Sequence, residues 1–174
     1  MFTTHMEIKD FIQEELRFIR YQCDVLTQGL NDAQFNWKPP GTANPMSATL
    51  IHMLGAEDDF IQAVLCRQLP LWESQDWARQ IGVAIYPMPG HGWKEFSTES
   101  VRLAPVLAYQ KAVRAATDAY IVACTPGEFD RRVRLFDEEK TVGQVLSTMT
   151  AHCAGHVGEM AVVKGTQGFM ALPY

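Results

Sequence analysis

The chain has few cysteines, and none of them is paired in sequence. Cys23, Cys66, Cys124 and Cys153 stand far apart and form no CxxC. That pattern fits reduced thiols in a cytosolic protein better than a disulfide framework. Long apolar runs are missing too. No stretch approaches the roughly 18 apolar residues that a membrane span needs, so no membrane association is expected. The opening MFTTHMEIKDF lacks a basic segment followed by an apolar one, so no secretory signal is expected, and the expected location is the cytoplasm. Positive charge is scarce, with 15 Lys and Arg against 20 Asp and Glu and a formal net charge of -5. Without a basic stripe, nucleic acid is not expected as a partner. The densest basic stretch, Arg131-Arg132-Val133-Arg134, is followed at once by Asp137-Glu138-Glu139 and reads as a solvated connection. No convincing strand alternation appears anywhere.

What is present is helical periodicity in a chain whose 174 residues suit one domain, residues 1–174, with a sizeable core. Four segments carry it. The first is expected from about His5 to Gln28, with Thr4-x-x-Glu7 as a capping box, apolar contacts from Phe11, Leu16, Phe18, Ile19 and Leu26, and Gly29 as a stop. The second runs from about Pro45 or Ser47 to Arg67, ahead of Leu69-Pro70. The third runs from about Val101 to Cys124, with Pro105 in its first turn or kinking it, and Thr125-Pro126-Gly127 closing it. The fourth runs from about Thr141 to Lys164, capped by Thr141-x-x-Gln144. The expected fold is therefore all-α, a four-helix bundle. Its middle connection, about residues 68–98, is long and reads as irregular. It holds Trp72, Trp77, Tyr86, Trp93 and the run PMPGHGW, and a stretch of this length usually covers a site or forms an interface. A weak internal echo links NDAQFNW after the first helix with TPGEFDRR after the third.

The chemistry-bearing stretch is AHCAGHVGEM, residues 151–160. Residues four apart on a helix share a face, so His152 and His156 can converge on one ion at Zn–N distances of about 2.0–2.1 Å. Their face also carries Val145, Met149 and Met160, which turns it into the bundle. Buried imidazoles need partners that an apolar core lacks, and a metal supplies one. A single HxxxH is nevertheless common, and HExxH is absent because Cys153 occupies the Glu position. Cys153 reads as a small core residue. His52 sits in the second helix with Gly55 and Ala56 three and four residues on, and Ala154 and Gly155 stand near the pair on the fourth. These small residues are read as room for an ion and a ligand. Taken alone, a core histidine such as His52 is more often a satisfied packing residue. His91 is read either as shading the site from the long connection or as facing water.

Together, SATLIHMLGAEDDFI, TVGQVLSTMTAHCAGHVGEMAVVKGTQG and FNWKPP resemble the DinB/YfiT-like family of metalloenzymes, including its DUF664-like branch, over nearly the whole chain. The resemblance implies a four-helix bundle holding one divalent metal, zinc or nickel, through His52, His152 and His156. Glu159 shares the face of His152 and His156 and could orient a ligand imidazole or a metal-bound water, or stand as a polar residue at the rim. Asp59, seven residues after His52, has the same two readings, and Asp58 is expected to face solvent. Three neutral imidazoles leave a coordination position open, where an ion can lower the pKa of a bound water or thiol. The resemblance implies a small-molecule substrate and a thiol-dependent S-transferase or isomerase that uses a low-molecular-weight thiol. A metal-dependent hydrolase and a non-catalytic structural or stress-linked metal clip are the competing readings. The family resemblance also implies a homodimer, with which exposed tryptophans in the middle connection would agree.

Overall fold

The first helix already shows how the stripe pattern selects a buried face. In the computed structural model, which describes residues 6–88, 93 and 100–173, helix α1 (Ile8–Thr27) buries Ile12, Leu16, Ile19, Cys23 and Leu26. These positions recur every three or four residues, the spacing of one helical face. Phe11 and Phe18 do not join them; each stands one helical step to the side of that stripe and is exposed. Gly29, at φ +75°, stops the helix in a conformation that costs glycine little. Thr4 and His5 lie outside the described residues.

A single turn, α2 (Asp32–Phe35), follows. It is closed by a capping box between Asn31 and Gln34 and drives Phe35 fully into the core. Helix α3 (Met46–Asp58) is the centre of the molecule, since every one of its residues is buried. It has no polar face because other elements cover it on all sides. It continues without a break into a π-helical segment, Asp59–Cys66, so the expected second helix has the expected extent but changes hydrogen-bond register.

The middle connection is not irregular throughout. It contains α4 (Leu71–Ser74) and α5 (Trp77–Ile81). Trp72 and Trp77 are 4% and 8% exposed, so they are core residues and not the exposed pair that the dimer expectation used. Trp77 packs against the Tyr109 ring, and Trp72 is tied to Asp58, which is 1% exposed and does not face solvent. Its carboxylate accepts from the backbone N–H groups of Leu71 and Trp72, both at 2.9 Å, and from the Tyr109 hydroxyl at 2.9 Å. One buried anion thus satisfies two donors at the start of α4 and one from the next long helix.

Helix α6 (Leu103–Ala123) carries Pro105 in its first turn, where the missing N–H costs nothing. A 3₁₀ turn, Pro126–Asp130, then buries Phe129. The sequence echo has a structural counterpart here, because α2 and this turn each follow a long helix and each seat one phenylalanine. The Arg131–Arg134 region is not a bare connection. Strands β1 (Arg132–Leu135) and β2 (Glu138–Thr141) pair antiparallel, from Arg132 opposite Thr141 to Leu135 opposite Glu138. Val133 and Leu135 point inward while Arg132 and Arg134 point out. Four residues of alternation were too few to stand out. Phe136 and Asp137 make the two-residue turn with φ of 49° and 64°, the sign such hairpin turns require.

Helix α7 (Val142–Thr166) begins at the expected capping box, in which Thr141 and Gln144 satisfy each other's backbone N–H groups. It packs against both α1 and α3. The bundle is cross-tied by Arg20 of α1, which reaches Glu57 of α3 at 3.2 Å and Asp118 of α6 at 2.6 Å. Thr117 of α6 donates to the same Glu57 at 2.7 Å. Among the described residues, no helix is long and apolar enough to cross a membrane.

Candidate metal centre

The three histidines that the sequence singles out meet at one point. His52 Nε2 lies 3.1 Å from His152 Nε2, which lies 3.1 Å from His156 Nε2. One ligand atom from each falls within 4.8 Å of the others, and no fourth His, Cys, Asp or Glu joins the group among the described residues. The pair on α7 is brought together by its i, i+4 spacing. Val145, Met149 and Met160, which share the face of the pair, are buried, and Cys153 is a buried core residue. His52 arrives from α3 because that helix packs against α7.

The outer nitrogens are held unequally. His52 Nδ1–H donates to the Pro87 carbonyl at 2.6 Å. His156 Nδ1–H donates to Glu159 at 2.7 Å. Protons on these two nitrogens leave both Nε2 atoms as bare lone pairs that face His152. His152 Nδ1 is buried and has no hydrogen-bond partner among the described residues. His152 can bring at most one proton to its Nε2, which satisfies one neighbour and not the other. A cation at the meeting point accepts all three lone pairs at once. The electrostatics agree. Burial, followed by the neighbouring His156 and His52, lowers the His152 pKa from 6.5 to about 4. Burial is also the largest cause lowering His52. His152 is therefore neutral at pH 7, the protonation state a ligand needs.

Glu159 touches an imidazole, that of His156. Asp59 does not: it accepts from the Tyr86 hydroxyl at 2.7 Å instead of touching an imidazole. The room assigned to small residues is also used differently. A Cβ at Gly55 would stand 2.5 Å from the Tyr86 ring, so that space holds a tyrosine and not a ligand. Ala154 and Gly155 are exposed, off the site's face. His91 lies outside the described residues.

Three groups were missed. The Pro87 carbonyl carries no side-chain signal at all. The Trp93 ring lies 4.8 Å from that of His52, and its membership of the same PMPGHGW run was the available hint. Phe60 stands edge-on to His152 at 6.3 Å, and Phe136 of the hairpin turn stands edge-on to Phe60 at 6.3 Å. The rings of Trp93 and Phe60 therefore flank the imidazoles. A surface cavity of about 290 Å³ shares Glu159 with the site and is otherwise lined by Ala43, Asn44, Thr49, Val162 and Val163.

Comparisons with known proteins agree with this architecture. A crystal structure described as the conserved protein of locus from Enterococcus faecalis superposes with a TM-score of 0.80 at 18% identity, covering 92% of this chain and 96% of that one. At that identity the likeness establishes the fold alone. No curated protein matches the sequence. The sequence model of the DinB superfamily matches residues 15–160, a span that contains all three histidines. The chain belongs to the DinB superfamily.

Proposed function

We propose that His52, His152 and His156 bind one divalent ion, zinc or nickel, and that the protein is a metal-dependent enzyme of the thiol-dependent S-transferase or isomerase type. The observation that carries the metal reading is the meeting of three Nε2 atoms, two of them deprotonated by the hydrogen bonds on their outer nitrogens and the third belonging to a ring with an unpartnered buried nitrogen. A bound ion of this kind lowers the pKa of a thiol or water at its open position and polarises electrophiles. The three-histidine set favours catalysis over a structural clip, because structural zinc sites are closed by four protein ligands and this group has three among the described residues.

The chain's own residues supply the rest. The Pro87 carbonyl and Glu159 hold two imidazoles in the tautomer that presents a lone pair. Trp93 and Phe60 give the site aromatic walls, which suit an electrophile with an apolar body. The cavity beside Glu159 offers space for a small molecule. The thiol assignment rests on the family resemblance.

The test is elemental analysis of protein purified without a histidine tag, beside the triple variant lacking all three histidines, followed by a screen of low-molecular-weight thiols against electrophiles. About one equivalent of metal in the wild type and none in the variant is the expected result. Equal metal in both ends the reading. Metal-dependent turnover of esters or amides without a thiol would replace the transferase with a hydrolase.

A further inference from the structure

We propose that Tyr86, Gly55 and Asp59 form a strap whose purpose is to aim His52: they place the Pro87 carbonyl so that the ring keeps its proton on Nδ1 and its lone pair on Nε2. The consequence for metal affinity rests on the metal-binding reading above.

His52 is the one imidazole of the three that does not come from α7, and among the described residues no side chain hydrogen-bonds its outer nitrogen. Its outer nitrogen is held by a main-chain oxygen, Pro87 O at 2.6 Å. A carbonyl can only accept, so this contact selects the Nδ1–H tautomer. The position of that oxygen depends on where residue 86 docks. The Tyr86 ring fills the place a side chain at position 55 would take: a Cβ there would lie 2.5, 2.7 and 2.8 Å from three ring carbons, one of them Cγ at the root of the ring. Glycine at 55 is thus the condition for docking. The Tyr86 hydroxyl donates to Asp59 Oδ2 at 2.7 Å. The Trp72 ring packs edge-on against that of Tyr86 at 5.1 Å, and the Trp72 backbone N–H donates to Asp58 at 2.9 Å.

Residues 52, 55 and 59 stand at i, i+3 and i+7, one stripe along the central helix. The strap meets that stripe at three successive points: hydroxyl on Asp59, ring on Gly55, carbonyl on His52. Two of these contacts lie on the fully buried α3 and the third on Asp59, the partly buried first residue of the π-helical segment, and together they leave the carbonyl little freedom. Moving the ring moves the carbonyl, and His52 can then carry its proton on Nε2, where it competes directly with an ion.

The experiment uses the full chain labelled with ¹⁵N-histidine. Long-range ¹H–¹⁵N spectra of the metal-free protein report the tautomer of each imidazole, and competition against a chelator reports affinity for Zn²⁺. In the wild type His52 is expected as the Nδ1–H form. In Gly55→Ala, its signals are expected to move toward the other tautomer, and zinc affinity to fall about 10–100-fold, the usual range for losing such a support. Tyr86→Phe, which removes only the hydroxyl, is expected to move both readouts in the same direction by less. A lowered melting temperature with unchanged tautomer and affinity would show a merely structural role and overturn the proposal. If Gly55→Ala does not fold, Tyr86→Phe decides in the same way. A wild type that binds no zinc would overturn the metal reading alone, because the tautomer comparison needs no metal.

Discussion

His52 Nε2 and His152 Nε2 stand 3.1 Å apart although one hundred residues separate them in the chain. Each comes from a different helix, and neither side chain can satisfy the other fully while His156 Nε2 also faces His152 at 3.1 Å. Replacing His152 with alanine removes the middle donor and the unpartnered Nδ1 together. The expected outcome is loss of nearly all bound metal with the helical content retained, read by elemental analysis and far-UV circular dichroism. Full metal content in His152→Ala would contradict the site.

Glu159 holds His156 from the solvent side, its own side chain 60% exposed. Glu159→Gln keeps an acceptor and loses the charge, and Glu159→Ala loses both. Metal affinity is expected to fall in that order, by about tenfold for alanine, toward the lower end for an outer support that water can partly replace. Chelator competition measures it, and equal affinity in all three proteins would remove Glu159 from the site.

The metal-free protein should weaken in mild acid. His152 titrates near 6.5 when unfolded and is lowered to about 4 by burial and by its two histidine neighbours. Between these values the unfolded chain binds the proton and the folded chain does not, so the stabilisation is complete above about pH 6.5 and is lost as pH falls toward 4. His52 is lowered as well, chiefly by burial, and acts in the same sense. Asp58 and Asp59 are raised by burial and act in the opposite sense, above the 3.8 of an ordinary aspartate. Urea midpoints at pH 7.5, 6 and 5 are expected to decline in that order. Zinc should add to stability most at the highest pH, where protons do not compete for the imidazoles. A midpoint that stays flat from pH 7.5 to 5 would contradict the histidine account.

Asp58 should matter more to folding than to metal binding. Alanine there leaves two backbone N–H groups and the Tyr109 hydroxyl without their acceptor. At about 1–3 kcal/mol for each stranded buried donor, a loss of about 3 kcal/mol or more is expected. Denaturant unfolding checks it, and a loss under about 1 kcal/mol would show that water replaces the carboxylate.

The hairpin turn offers the opposite change. Phe136 and Asp137 both adopt positive φ, a conformation that Asn-Gly occupies with less strain. The double substitution Phe136→Asn with Asp137→Gly is expected to raise stability by about 1 kcal/mol, as thermal unfolding would show. The Arg134–Asp137 ion pair it removes is exposed and contributes little. A fall in stability would mean that the Phe136 contact with Phe60 outweighs the turn strain.

Family resemblance was needed to add His52 to the ligand candidates; the sequence by itself determined the four long helices, the all-α class and the His152–His156 pair. These rest on period, capping chemistry and i, i+4 geometry, all of which act within a few residues: Thr141 and Gln144 cap α7 as their spacing required, and His152 and His156 share the face that Val145, Met149 and Met160 define. Only the tertiary structure decided what the polar and small residues around them do. Asp58 looked like surface and is a buried hub, because its partners are backbone groups thirteen and fourteen residues away, which carry no sequence signature. Gly55 looked like space for a ligand and is the seat of Tyr86. Local patterns act between neighbours along one helix, whereas the direction in which a buried side chain or a carbonyl points is set by whichever distant segment packs against it.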